Sequence, residues 1–221
     1  MKKVLVVLLV SSLALVCLGA KSPDVKVGFN AGYSLSTITS TQSASSILGT
    51  TTTFIYKLKN NGLSLEGNFE YGLGKDTALK VVGGVDLFGK TATIVADSDP
   101  VLSSEPAGAN FNLFLAGQYS LAVSKKASID LSLGFDMLLG NCIVVKTVTN
   151  ELDEHFNCAL GGALELDFSY ALTKELTVSV GGRYSYYLVN TNEDLQTLAE
   201  NENTKLSNTA LRFFGGAKYS F

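Results

Sequence analysis

Along most of this chain apolar and polar residues take turns. Leu176, Val178, Val180, Gly182, Tyr184, Tyr186 and Leu188 share one parity, and Thr177, Ser179, Gly181, Arg183, Ser185 and Tyr187 share the other. A repeat of two places successive side chains on opposite faces of a β-strand, one apolar and one polar. The same pattern runs through 25–35, 63–71, 79–88, 111–121, 129–137, 160–170 and 211–221. In 54–59 it is also present, but there the apolar members Phe54, Tyr56 and Leu58 are even-numbered, whereas Leu63, Leu65 and Phe69 are odd. A further short strand is expected around Thr91 to Ala96. These segments predict ten strands. Eight is the alternative, and it requires merging neighbours whose face parity disagrees.

The connections sort into two kinds. Asn60-Asn61-Gly62, Gly89-Lys90, Ser124-Lys125-Lys126 and Thr173-Lys174-Glu175 are short and rich in turn formers. Ser36 to Thr50, Asp97 to Gly108, Gly140 to Asn157 and Asn190 to Asn208 are long and polar. Gly72 to Thr77 departs from the phosphate-loop pattern, with Phe69 and Asp76 at two required positions, and is expected as a loop-side connection. Short turns on one side and long loops on the other are the asymmetry of outer-membrane barrels.

The first twenty residues change the picture. Lys2 and Lys3 precede an apolar run from Val4 to Leu18, and Leu18-Gly19-Ala20 offers small residues for cleavage. Residues 1–20 are therefore expected to be a secretory signal peptide, with a barrel domain over 21–221. Val16 before Cys17 is too large for a lipidation signal. Losing Lys2 and Lys3 takes the formal charge from −3 to −5. That mild acidity, without a basic stripe, gives no reason to expect nucleic acid. Charged residues are 17% of the chain, below the usual quarter, about 25%. No later stretch reaches the ~18 apolar residues of a membrane helix. Low charge without apolar runs suits a barrel that presents alternate residues to lipid.

Alternation alone does not say which face points inward. The expected strands, about 12 residues long, are enough to cross a bilayer at a tilt. The apolar face carries aromatic residues near strand ends, as interfacial girdles do. Tyr33, Tyr71, Phe111 and Tyr186 are assigned to the loop side, and Tyr119, Tyr170, Tyr219 and Phe221 to the turn side. The polar face collects acids (Glu66, Glu70, Asp86, Asp130, Asp136, Glu165, Asp167) and bases (Lys26, Lys57, Lys59, Lys80, Arg183, Arg212, Lys218). Both signs confined in a narrow tube are expected to pair, because an unpaired buried charge is costly. These residues are candidate lumen charges, and their pairing predicts a plugged bore rather than a pore.

The last residues, Gly216-Ala217-Lys218-Tyr219-Ser220-Phe221, look like the C-terminal signature read by barrel-assembly machinery, with Gly216, Tyr219 and Phe221 as its landmarks. Phe214 stands where that signature usually has a polar residue. Signal peptide, alternation and terminal aromatic together resemble the small bacterial outer-membrane β-barrel family that includes opacity-type proteins. The resemblance covers the whole segment after the signal but is one of pattern. It implies an all-β, up-and-down antiparallel transmembrane barrel in the outer membrane. Its partners would be outer-membrane lipid, the assembly machinery and a host or environmental surface ligand. The expected role is structural or surface-interacting, with a narrow porin-like channel as the alternative.

Other chemistry is sparse. The single histidine, His155, follows Glu151, Asp153 and Glu154, but no second segment offers it a partner, so catalysis is not expected. No EF-hand or CxxC spacing occurs, and no metal or cofactor is expected. Cys142 and Cys158 flank one long loop of an exported chain, so a disulfide between them is expected, closing a loop worth roughly 3 kcal/mol. Two unbridged thiols are the alternative.

Overall fold

The computed structural model describes residues 24–45, 51–96, 99–104, 107–146, 151–190 and 204–221. The expected signal peptide, 1–20, lies outside them. The strands are β1 (Val25–Ser45), β2 (Thr51–Gly72), β3 (Thr77–Ala96), β4 (Asp99–Ser104), β5 (Ala107–Ala122), β6 (Ala127–Lys146), β7 (Glu151–Ala171), β8 (Leu176–Asn190) and β9 (Thr204–Ser220). Neighbours pair antiparallel, β9 pairs with β1, and β2 pairs with both β1 and β3, so the sheet closes into a barrel. β4 lies on β3 in the register of β5: Gly89 faces Ala107 and Ala92 faces Ser104. β4 and β5 thus form one line of wall, and the barrel has eight staves.

The expectation of ten strands is corrected here, for a physical reason. Asn60-Asn61-Gly62 and Gly89-Lys90 are not turns; β2 and β3 run straight through them. Leu58 points inward and is buried, level with Ile38 on β1, while Lys59 points outward and is exposed. The side chains never change faces; their surroundings do. Once β2 rises past the apolar band its outer face meets water, so a lysine there is favourable and an apolar residue is better inside. The parity break marks the membrane boundary rather than a reversal of the chain. Thr91 to Ala96 is likewise the upper end of β3, and much of the expected long loops is strand.

Three short connections lie at the other end. Ser124 and Thr173 build theirs alike: each side-chain oxygen accepts from the backbone N–H groups two and three residues on, at 3.2 and 3.1 Å for Ser124 and 3.2 and 3.0 Å for Thr173. The third, at 73–76, is closed by the Leu73 N–H on the Thr77 carbonyl at 2.9 Å. Gly72 to Thr77 is therefore a turn-side connection, and Tyr71, facing Val25, belongs to the turn-side girdle; both loop-side assignments are corrected. The start of β1 and the last residue meet here too, with the Phe221 N–H on the Val25 carbonyl at 3.0 Å.

The register fixes the bore. The paired residues Lys26, Glu70, Lys80, Ala116, Gly134, Ala163, Ser185 and Ala210 lead once around the wall and return to β1 at Ser36, ten residues above the start. A stagger of this size in eight strands belongs with a tilt of about 35–45° and an interior that side chains can fill. The exterior is apolar: Phe29 is 56% exposed, Leu133 69% and Val180 60%. From Val25 to Leu35 the outward apolar run climbs roughly 25 Å at about 3.3 Å per residue and 40° tilt, the height of a lipid-facing band.

Candidate functional site: the charged lumen

Every inward-facing stave contributes polar groups to the bore. Glu66, Glu70, Lys80, Asp86, Asp130, Asp136, Glu165, Asp167, Arg183, Arg212 and Lys218 all project inward and are buried. They sit in three levels. Near the turn end, the Lys80 ammonium donates to Glu165 and, at 2.8 Å, to Asp167, with Glu70 at 3.8 Å. Lys218 reaches Glu70 at 2.6 Å and Asp167 at 3.8 Å. Asp130 has hydroxyl donors instead, Ser169 at 2.6 Å and Ser128 at 3.0 Å.

At mid-height Arg183 donates to Glu66, to Glu165 at 3.3 Å and to the Asn112 side-chain carbonyl at 3.3 Å. Its guanidinium also lies 4.8 Å from the centre of the Phe114 ring, a cation–π contact in a desolvated place. Above it, Arg212 takes Asp86 through two nitrogens, at 3.2 and 3.0 Å, and Asp136 through a third, at 3.1 Å. Asp136 accepts further from Ser185 and, at 3.0 Å, from the Tyr187 hydroxyl.

The long bridges span the bore. Lys80 joins β3 to β7, Arg183 joins β8 to β2, and Arg212 joins β9 to β3 and β6; each leaps over two intervening staves. Space for this comes from small inward residues on β1: Gly28, Asn30, Gly32, Ser34 and Ser36. A Cβ on Gly28 would lie 2.9 Å from the Lys218 Cγ and 2.6 Å from the Asn68 side-chain oxygen. Removing either member of such a bridge would strand a charge in a low-dielectric bore.

Three of the sequence candidates lie elsewhere. Lys26 sits at the turn-side rim, 3.7 Å from Asp24, and Lys57 and Lys59 face outward. The expected near-balance of charge is corrected accordingly: among the described side chains the bore holds four bases and seven acids. Sequence reading also passed over Phe114 and Tyr187 as working parts of the lumen. Their signal was present, since both are large aromatics on the polar parity.

The ladder does not bring the two cysteines together. Cys142 faces His155 and Cys158 faces Leu139. They stand three ladder positions apart, roughly 10 Å along the strands, beyond the Cα span of about 4.4–6.8 Å that a disulfide accepts. The expected bridge rests on the Cys142 side chain, which, with those of His155, Glu151, Asp153 and Glu154, lies outside the described residues.

With the geometry in hand, comparison is informative about fold. Neisserial surface protein A aligns over 91% of this chain and 100% of its own, with a TM-score of 0.53 and 14% identity. The outer membrane protein OprG of Pseudomonas aeruginosa aligns over 89% and 95%, at 0.52 and 12%. The outer membrane protease OmpT of Escherichia coli aligns over 91% and 99%, at 0.51 and 10%. This chain has the fold of a bacterial outer-membrane β-barrel. No family model matches it, and no curated protein does so significantly. The apolar exterior and closed wall agree with that fold, being the reverse of a soluble barrel's arrangement.

Proposed function

We propose that this chain is an integral outer-membrane barrel with a closed lumen, whose work is structural or surface-interacting and is done by the strand ends that rise past the lipid. One observation carries the reading: salt bridges cross the bore at three successive levels, held by Lys80, Arg183 and Arg212, each wholly buried. A bore of eight staves is about as wide as its side chains, and here long charged ones occupy it. Meanwhile β1–β2 and β6–β7 continue well beyond the apolar band, with strands of 20–22 residues. These paired strands present sequence-specific surface to whatever host or environmental ligand meets the cell. Within the envelope the partners are outer-membrane lipid and the assembly machinery, the latter reading Gly216, Tyr219 and Phe221.

A narrow channel is the second reading, and the excess of acids in the bore favours it in one respect, since a conducting form would select cations. Planar-bilayer recording of the refolded protein tests the choice. The closed reading expects a quiet membrane; stable, reproducible conductance steps from pure protein would replace it with the channel.

A further inference from the structure

The wall above the apolar band is not uniform. On β9, β1 and β2 the outward positions form a small grid: Thr209, Thr37 and Lys59 lie side by side in one row, and Ser207, Thr39 and Lys57 in the next. All six side chains are exposed or half-buried. Among the described side chains at outward positions of these strands above Leu35, Leu63 and Leu211, none is a carboxylate.

We propose that this grid binds the phosphate groups of an outer-leaflet lipid. Three features fit that occupant. The grid is on the side wall just above the apolar band, where the wall meets the hydrated headgroups of neighbouring lipid rather than the space above the cell. Its lower row stands two residues above Leu35 and Leu211, a rise of roughly 5 Å at this tilt, which is where headgroups succeed acyl chains. Its chemistry is that of a phosphate site, with ammonium groups as point charges and hydroxyls as donors. Lys57 and Lys59 project from one strand face about 7 Å apart, flanked by hydroxyls about 4.8 Å away on β1. Because the groups sit on paired strands rather than on a loop, little ordering is needed to engage a headgroup. One lipid would thus be held on one flank of the barrel, its acyl chains lying on the apolar band below.

The test uses the full mature chain refolded in a neutral detergent. It is titrated with a bis-phosphorylated outer-leaflet glycolipid and, separately, with the same glycolipid after phosphatase treatment. Retention of lipid is read by native mass spectrometry, with heat-modifiable gel migration as the check on folding. We expect at least a ten-fold preference for the phosphorylated form, lost in Lys57→Gln/Lys59→Gln but kept in Lys26→Gln at the opposite rim. Thr39→Val, which leaves both lysines in place, should lose part of the preference and serves as a second variant. Equal binding of the dephosphorylated lipid would overturn the proposal. So would an unchanged preference in the double lysine variant. Displacement of the lipid by a soluble sulfated oligosaccharide at matching affinity would also overturn it, assigning the grid to a soluble polyanion.

Discussion

Arg212 on β9 holds one oxygen of Asp86 on β3 through two of its nitrogens, at 3.2 and 3.0 Å, reaching over β1 and β2 to do so. Both side chains are wholly buried. Such a pair is compact, directional and hard to solvate by any other means. The same guanidinium serves Asp136, so two acids depend on one base.

Arg212→Ala should therefore be costly. It leaves Asp86 with no base within the bridge and Asp136 with only its hydroxyl donors, and breaking a buried pair costs about 3–5 kcal/mol. The temperature at which unboiled protein shifts to its denatured gel mobility should fall clearly. Adding Asp86→Asn to Arg212→Ala should restore part of the loss by removing the stranded charge. A single variant as heat-resistant as the parent would mean that water, not Arg212, satisfies these acids.

Neighbouring glycines on β3 give a sharper steric test. A Cβ on Gly84 would meet the Glu66 Cγ at 2.7 Å and the Leu65 carbonyl at 2.8 Å, whereas a Cβ on Gly83 meets nothing within 4 Å. Gly84 faces the bore beside the Arg183 bridge, and Gly83 faces lipid. Gly84→Ala should destabilise by about 1–3 kcal/mol, the usual scale of overpacking, while Gly83→Ala should leave stability within about 0.5 kcal/mol. Urea unfolding in lipid vesicles measures both, and equal effects would refute the packed bore.

The inward position of Asp86, Glu165 or Arg183 could be read from alternation alone, because a strand in a closed barrel has only two faces and lipid claims one. Their partners could not. Lys80 and Asp167 lie 87 residues apart in sequence, Arg183 and Glu66 117, and Arg212 and Asp86 126. Such pairings depend on the ten-residue stagger of the closed wall, which no local pattern encodes. Strand count failed for a related reason. Alternation reports the contrast between two environments, and at Leu58 and Lys59 the outer environment changes from lipid to water while the strand continues.

If the cross-bore bridges close the lumen, cutting two of them should open it. Arg183→Ser with Arg212→Ser removes the two guanidiniums of the middle and upper levels and leaves Glu66, Glu165, Asp86 and Asp136 lining the space. The double variant should give conductance steps that the parent lacks, with cations favoured over anions by reversal potential in a salt gradient. A variant that folds yet stays silent would place the barrier elsewhere, and anion preference would contradict the charge balance found in the bore.

The two possible courses of β2 make opposite statements about which side of the membrane a residue meets. In a ten-strand path Asn60-Asn61-Gly62 is a periplasmic turn and Gly72 to Thr77 faces outward. In the eight-stave barrel Lys59 stands on the outer wall above the lipid, while Lys75 lies in a short turn at the end that holds Asp24 and Phe221. Single cysteines at these positions, in a chain whose Cys142 and Cys158 are serine, distinguish the two on intact cells. Lys59→Cys should react with a membrane-impermeant maleimide added outside. Lys75→Cys should stay unlabelled until the outer membrane is permeabilised. Both side chains face solvent in the eight-stave barrel, Lys59 directly and Lys75 at the turn tip, so silence cannot be blamed on burial. Leu58→Cys, one residue from Lys59 but facing the bore, should remain slow in both conditions. Labelling of Lys75→Cys on intact cells with protection of Lys59→Cys would restore the ten-strand path and, with it, a membrane boundary far from the parity break at Leu58.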